Sequence, residues 1–187
     1  RTMTLYRHDD PIAWLVDVAT QLKAVGGEVI LHGDPEHAGF QYRAHNDVGK
    51  GSAEQKATYL FHDDAIDAHK DSNLPWAAMS YRLGMNTYNV LHMDHPENPR
   101  PNRYSAYRDY GRFGAFFTTK IPAGETLALK YRVYVTHAPL DRATCAAKDA
   151  VFDLPLQTHC EKIANSRRAS EHGNPIALGK GAGFPSR

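Results

Sequence analysis

The segment from Gly33 to Arg43 (GDPEHAGFQYR) combines side chains that could carry out acid/base chemistry. A polar turn holds two carboxylates and the imidazole of His37, and a strand-like stretch follows it. Glu36 and His37 are therefore candidate catalytic residues, and Arg43 is a candidate substrate-binding residue that could hold a polyol or a carboxylate. The alternative interpretation is a turn whose Asp34 and Glu36 bond nearby backbone N–H groups, followed by an ordinary strand.

A second segment, from His92 to Arg112, is rich in side chains that bind ligands. It contains four Arg, three Tyr, two His and three acidic residues in 21 positions. Prolines stiffen it, so little conformational entropy is lost when it orders, and its arginines offer planar donors. The candidate catalytic residues here are Asp94 and His95. The candidate substrate-binding residues are Asn98, Arg100, Arg103 and Tyr104. The alternative is a surface loop held by Arg–Asp ion pairs.

The spacing of His92 and Asp94 also suits a metal site. Residues i and i+2 of a strand share a face, so both side chains could ligate one ion. With a distant His, they would form the two-His, one-carboxylate set of iron(II) enzymes. The candidates for that third ligand are His37, His95 and His137. A divalent metal is the cofactor that this pattern suggests. The alternative is that Asp94 or His95 simply orients the loop backbone.

Composition excludes several classes of function. The 187 residues include 22 Lys or Arg and 21 Asp or Glu, and this near-neutral balance gives no electrostatic case for nucleic-acid binding. No window approaches the roughly 20 apolar residues that a membrane-spanning helix needs. Two cysteines cannot build a disulfide scaffold or a four-thiolate zinc site, although Cys145 and Cys160 could pair in an oxidising compartment.

Apolar residues that recur at every second position predict β-strands. We expect these strands to position the two segments described above. The clearest runs are Ile12 to Leu22 and Thr126 to His137. Shorter strands are predicted at 28–32, 39–45, 56–62, 77–83, 86–95 and 113–119. Polar turns or loops are predicted at 46–51, 63–75, 96–110 and 121–125. One helix is predicted, at 141–152, with Asp141 as its cap. Roughly nine strands with little helix predict an antiparallel β-sandwich.

The C-terminal part of the chain differs from the rest. Between Glu161 and Arg187 there are five Lys or Arg and two acidic residues, so this part carries +3 and the other residues carry −2. It is rich in Gly and has little apolar periodicity, which predicts an extended or disordered terminus. We therefore expect a β-sandwich domain over residues 1–155 and a tail over residues 156–187.

Four stretches resemble a bacterial family of unknown function that is labelled PmoA-like. They are GDPEHAGFQYRA at 33–44, DHPENPR at 94–100, YGRFGAFF at 110–117 and PAGETLALKYRVYV at 122–135. The likeness covers roughly residues 1–155. It implies a β-sandwich related to the galactose-mutarotase-like supersandwich, with an additional N-terminal β-rich part that this chain lacks, so we expect a partial domain. It also implies an association with sugar-degrading proteins. Mutarotase-type sites use a Glu and a His, which makes Glu36 and His37 candidates by chemistry.

These observations lead to a carbohydrate-active β-sandwich as the leading hypothesis, of the epimerase, lyase or hydrolase type if it is an enzyme. His37 or His95 would be the base, and Glu36 or Asp94 the acid or the orienting partner. The expected partner is a small sugar or glycoside, with no nucleic acid and no membrane span, and a periplasmic or secreted location is favoured. The alternatives are a metal-dependent oxygenase-type enzyme that uses His92 and Asp94, and a non-catalytic sugar-binding module.

Overall fold

The computed structural model describes residues 1–6 and 12–152, and these residues form a mainly β structure. Within those ranges there are eleven strands: β1 (Thr2–Tyr6), β2 (Ile12–Lys23), β3 (Val29–Leu31), β4 (Phe40–Arg43), β5 (Thr58–Leu60), β6 (Trp76–Leu83), β7 (Asn86–Asp94), β8 (Asn102–Tyr104), β9 (Arg112–Phe117), β10 (Thr119–Ile121) and β11 (Thr126–Thr136). The helices of the same ranges are α1 (Asn46–Lys50) and α2 (Arg142–Ala150), with a 3-10 turn at Ala53–Gln55. None of these helices is long and apolar enough to cross a membrane.

The larger layer is an antiparallel sheet of six strands in the order β1-β2-β11-β7-β6-β5. Its longest pairing joins β2 to β11, the two strands with the clearest predicted alternation. The alternation sets two faces. Val18 of β2 and Val133 of β11 point to the inner face, whereas Leu15 and Tyr134 point to the outer face.

The smaller layer is the three-stranded sheet β4-β9-β8, and the two-stranded sheet β10-β3 adjoins it along the chain. Phe113, Ala115 and Phe117 of β9 share one buried cluster with the inner-face residues of the six-stranded sheet. Two antiparallel layers that enclose one core form a β-sandwich, so the predicted fold class is confirmed.

The outer face of the larger sheet is covered by α2. Asp141 caps this helix by accepting a hydrogen bond from the Thr144 N–H (2.7 Å), as predicted. The buried thiol of Cys145 packs among apolar side chains of the sheet that include Leu15, Trp76, Leu91 and Tyr134. We call this group the outer-face cluster. Beside this cluster Arg132 forms a two-point ion pair with Asp17 (2.5 and 2.8 Å), and both side chains are buried.

Three local predictions are wrong. The segment 46–51 is not a turn but contains α1, which His45 caps through a bond from the Asp47 N–H (3.3 Å). The 96–110 loop contains β8, whose partner β9 lies further along the chain, so its pairing leaves no local pattern. The third placed Ile121 in a turn, whereas it ends β10, which pairs with β3. The predicted turn itself follows at 122–125, where the Glu125 N–H donates to the Pro122 carbonyl oxygen (3.0 Å). The predicted tail at 156–187 and the Cys145–Cys160 pair lie outside the described residues.

Candidate functional site

A cavity of about 460 Å³ opens between the inner face of the larger sheet and the loop 32–39. Its floor and walls are mostly apolar, and they include Leu22, Leu31, Phe40, Phe117, Leu129 and Tyr131. The polar residues at its edge include Thr20, His32, Asp34 and His37. We call it the His37 cavity. The first of the two predicted segments lines this cavity through residues that include Asp34, His37 and Phe40.

The loop 32–39 forms because the strand pairings on either side of it leave unequal numbers of residues between them on the two chain segments. Leu31 pairs with Thr119 and Phe40 pairs with Ala115, so the eight residues 32–39 lie opposite only residues 116–118. The excess chain must leave the sheet as a compact loop. Gly39 anchors its end with a φ of 76°, and a Cβ at this position would overlap the Ala115 carbonyl oxygen.

Asp34 and His37 form a hydrogen-bonded pair at the edge of this cavity. The Asp34 Oδ2 lies 2.7 Å from the His37 Nδ1, and the other oxygen accepts the Glu36 N–H at 2.8 Å. The bond from the Glu36 N–H, followed by the bond from His37, lowers the pKa of Asp34 below its ordinary value. A charged Asp34 holds the proton on Nδ1, which leaves the lone pair on Nε2. The bond therefore sets the orientation of the His37 ring.

Glu36, the predicted acid, is not the partner of His37. Its carboxylate lies 3.3 Å from a guanidinium nitrogen of Arg108, which stacks over the Tyr107 ring at 4.7 Å. The Arg108 guanidinium also donates to the Pro35 carbonyl oxygen (3.5 Å). Glu36 therefore attaches the loop 32–39 to the loop before β9.

Arg43 lies at the far end of β4, away from the His37 cavity. Its guanidinium donates to Asn46 Oδ1 (3.1 Å) and lies 5.9 Å from the centre of the Tyr110 ring. The residue contributes instead to a second cavity next to Tyr42. Arg43 and His37 therefore border different cavities.

Asp94 is buried inside its own loop. Its oxygens accept hydrogen bonds from Asn98 (2.7 Å), Arg100 (2.9 Å) and Asn102 (2.6 Å). Burial raises the pKa of Asp94, and these three donors oppose the rise. Asn98 also bonds both backbone groups of Lys130, accepting from its N–H (2.9 Å) and donating to its carbonyl oxygen (2.7 Å). The alternative that Asp94 orients loop backbone fits this geometry.

His92 is a core residue with no exposed surface. Its Nε2–H donates to the Phe40 carbonyl oxygen (3.0 Å), and its Nδ1 lies 3.2 Å from the buried Tyr104 hydroxyl. Burial lowers the pKa of His92 to about 4, so the ring is neutral at pH 7. Both ring nitrogens have protein partners, and no group of three or more His, Cys, Asp or Glu within residues 1–6 and 12–152 could hold a metal ion. The geometry gives the predicted His92–Asp94 metal site no support.

The other two predicted residues of the second segment also have structural contacts. The His95 ring packs edge-on against Phe152 at 5.1 Å, and its Nδ1 accepts the Glu97 N–H (3.2 Å). Arg103 donates to the His69 carbonyl oxygen and lies 5.8 Å from the Phe116 ring centre. Of the predicted catalytic residues, only His37 lines the His37 cavity.

Comparison with protein families shows which family the chain belongs to. The chain belongs to DUF6807, a family of unknown function whose model matches residues 1–149. Nothing in this match links the chain to PmoA. No curated protein and no solved structure matches it. Residue roles in this DUF6807 chain therefore depend on the geometry described above.

Two site residues of the DUF6807 chain were not among the sequence candidates. Asp34 was assigned only to turn formation, which it does perform, but its second oxygen orients His37. Tyr131 forms part of the cavity wall, and its buried hydroxyl has no hydrogen-bond partner within the described residues. Its sequence signal was that of a core residue in a strong strand. The contact between Asp34 and His37 could have been predicted from the sequence, since an Asp three residues before a His can reach the imidazole across a turn.

Proposed function

We propose that this chain binds a small carbohydrate in the His37 cavity and that His37, oriented by Asp34, acts on it as a general base. The observation that carries the proposal is the 2.7 Å bond between Asp34 Oδ2 and His37 Nδ1 at the edge of a cavity of about 460 Å³. A volume of this order is ordinary for small-molecule sites, which lie roughly between 300 and 1,000 Å³.

The wall chemistry favours a sugar ring. A pyranose has an apolar face of C–H groups and an edge of hydroxyls, so it needs apolar or aromatic walls and a few polar groups at the rim. Phe40 and Phe117 supply the aromatic surface, and Thr20 and His37 supply polar groups.

The proposed step is a proton transfer. His37 Nε2 would take the proton of a sugar hydroxyl, and the negative charge of Asp34 would stabilise the imidazolium that forms. In a reducing sugar this is the anomeric hydroxyl: the bond from the anomeric carbon to the ring oxygen breaks as the carbonyl forms, and the imidazolium returns the proton to the ring oxygen. Ring closure reverses these steps and can give either anomer. This chemistry fits an epimerase that acts at the anomeric carbon better than a two-carboxylate hydrolase, because Asp34 is the one carboxylate among the described residues that line the cavity.

A non-catalytic sugar-binding module is the second candidate. The other acidic candidates favour it, because their carboxylates already have structural partners. Glu36 pairs with Arg108, and Asp94 accepts hydrogen bonds from three donors. The metal-dependent alternative has weaker support, since both nitrogens of His92 are bonded within the core. The PmoA-like resemblance and its association with sugar degradation stay predictions, and they agree with a sugar ligand.

The test combines binding and turnover. Thermal unfolding of the protein with a panel of monosaccharides and methyl glycosides identifies ligands, because a ligand that binds the folded state raises Tm. NMR spectra of the accepted sugars then report any conversion. The variants are His37→Ala and Asp34→Asn. His62→Ala is the matched control, since His62 is exposed and contacts the edge of Trp76, part of the outer-face cluster.

We expect an accepted sugar to raise Tm in all four proteins. His37→Ala should lower turnover by about 100-fold or more, which is the usual contribution of a general base, and His62→Ala should leave it unchanged. Binding without any conversion by the unsubstituted protein would establish the second candidate instead. If no sugar in the panel raises Tm, the carbohydrate proposal is wrong.

A further inference from the structure

A second cavity, of about 380 Å³, lies on the same inner face as the His37 cavity. It is lined by aromatic and apolar side chains, among them Trp14, Val16, Tyr42, Tyr81 and Tyr88. We call it the aromatic cavity. Phe40 lines both cavities, so this residue forms a shared wall between them.

We infer that the aromatic cavity is a second binding subsite for carbohydrate, so that the ligand of this chain is an oligosaccharide that extends past Phe40. This inference rests on the proposed function of the His37 cavity. It adds a substrate class, an oligomer rather than a single sugar, and it assigns a role to residues that the proton-transfer step does not use.

The strand geometry gives the length of such a ligand. Thr20 and Leu22 of β2 line the His37 cavity, and Trp14 and Val16 of the same strand line the aromatic cavity. The two pairs are six residues apart, which corresponds to about 20 Å at roughly 3.3 Å per residue. A single sugar ring cannot reach both, whereas a chain of several sugars can. β11 repeats the arrangement with Leu129 at one end and Val135 at the other.

The aromatic side chains are held in fixed positions and keep polar groups at their tips. The Tyr42 and Tyr81 hydroxyls are 2.8 Å apart, and Tyr81 stacks on Tyr88 with 5.5 Å between ring centres and 17° between planes. Rings that are already fixed lose little entropy when a ligand stacks on them. Aromatic surfaces with polar tips suit the C–H faces and hydroxyls of sugars.

Trp14 is the most informative residue of this cavity. Its side chain belongs to the inner face of β2 but is 53% exposed, whereas the chain's other tryptophan, Trp76, is 2% exposed. Nearby, Met3 and Leu5 are also exposed, which would suit an interface with another protein. The Tyr42–Tyr81 hydroxyl pair favours the carbohydrate, because two hydroxyls that share one hydrogen bond keep one O–H and further lone pairs for a sugar hydroxyl.

The experiment measures how affinity depends on ligand length. Titration calorimetry with malto-, cello-, xylo- and galacto-oligosaccharides, from the monosaccharide to the hexasaccharide, gives Kd for each length. The test variant is Trp14→Ala, which removes an exposed ring and should not prevent folding. Met85→Ala is the matched control, since Met85 is 95% exposed and does not line either cavity. Tryptophan fluorescence is recorded in parallel, and sedimentation velocity gives the oligomeric state.

We expect one series to bind about tenfold or more tightly at its longer lengths than as the monosaccharide, with a change in Trp14 emission. Trp14→Ala should remove that gain and leave the monosaccharide Kd unchanged, and Met85→Ala should alter neither. A monosaccharide that binds as tightly as every oligomer would overturn the subsite and leave the proposed function intact. Binding at no length would overturn both. A dimer that Trp14→Ala converts to monomer would show that the patch is a protein interface, and would overturn the subsite.

Discussion

His37 Nδ1 lies 2.7 Å from Asp34 Oδ2. Both residues belong to the eight-residue loop 32–39, which lies opposite only three residues of the neighbouring chain segment, 116–118. The pair is thus a product of the strand register. Asp34 uses one oxygen to close the turn and the other to orient the imidazole. The same carboxylate therefore contributes to the shape of the loop and to the chemistry proposed for it.

The first prediction concerns Asp34 and pH. Hydrogen bonds lower the pKa of Asp34 in the folded protein, so its contribution to stability is present above the ordinary value of 3.8 and is lost as pH falls through the lowered value. Asp34→Asn should therefore unfold at a lower temperature than the unsubstituted protein at pH 7. The difference in Tm should shrink as pH falls below 3.8. A difference that is constant from pH 2 to pH 7 would contradict this.

The second prediction concerns the buried carboxylate of Asp94. Asp94→Ala leaves Arg100, Asn98 and Asn102 without their shared acceptor, and we expect it to lower the free energy of unfolding by about 3 kcal/mol. Urea denaturation measures the change. Glu97→Ala is the control, since Glu97 is an exposed partner of Lys130 and should cost less than about 1 kcal/mol. Equal losses for the two variants would show that Asp94 does not organise the loop.

The third prediction concerns His92. Because burial lowers its pKa to about 4, the folded protein binds fewer protons than the unfolded chain between pH 4 and the ordinary value of 6.5. Stability should therefore decrease as pH falls through that window, by up to about 3 kcal/mol from this group. His92→Gln should flatten the pH dependence of the free energy of unfolding in this range.

The exposed His62→Gln serves as the control for His92 and should leave the slope unchanged. If His92→Gln retains the full slope, His92 is not the buried neutral group described here. Elemental analysis of the same preparations tests the metal hypothesis, since a stoichiometric transition metal that His92→Gln removes would restore it.

The fourth prediction compares two glycines. Gly39 has a φ of 76° and a Cβ there would overlap the Ala115 carbonyl oxygen, whereas a Cβ at Gly26 would meet nothing within 4 Å. Gly39→Ala should lower the free energy of unfolding by about 2 kcal/mol or more. It should also abolish ligand binding in the His37 cavity. Gly26→Ala should change stability by less than about 1 kcal/mol. A Gly39→Ala protein as stable as Gly26→Ala would refute the tight loop.

The long strands were predictable from sequence because their pattern is local. Along β2, inner-face residues such as Val16 and Val18 alternate with Asp17, and the strand in the structure places them on opposite faces of the sheet as this pattern predicts. The 3-residue strand β8 was missed because its partner β9 lies elsewhere in the chain. Short edge strands depend on their partners more than on their own residues.

The candidate site was only partly predictable, because residue type does not reveal burial. His92 and Asp94 have the spacing of metal ligands, yet both point into the core and their polar atoms are bonded there. The structure places His37 at the edge of a cavity, where its imidazole bonds Asp34 rather than Glu36, the acid that the sequence analysis named beside it. Which acid meets the imidazole depends on the path of the loop, and that path follows from pairings more than 70 residues apart in the chain.

The ion pair between Asp17 and Arg132 also restricts how β2 and β11 can align. The two residues are directly opposite each other, and both side chains are buried under the outer-face cluster. A slip of one residue would turn a charged side chain into the apolar interior, and a slip of two would leave both charges buried without each other. The two longest strands thus have one permitted alignment. Thr20 therefore always lies opposite Leu129, so the ion pair on one face fixes the cavity wall on the other.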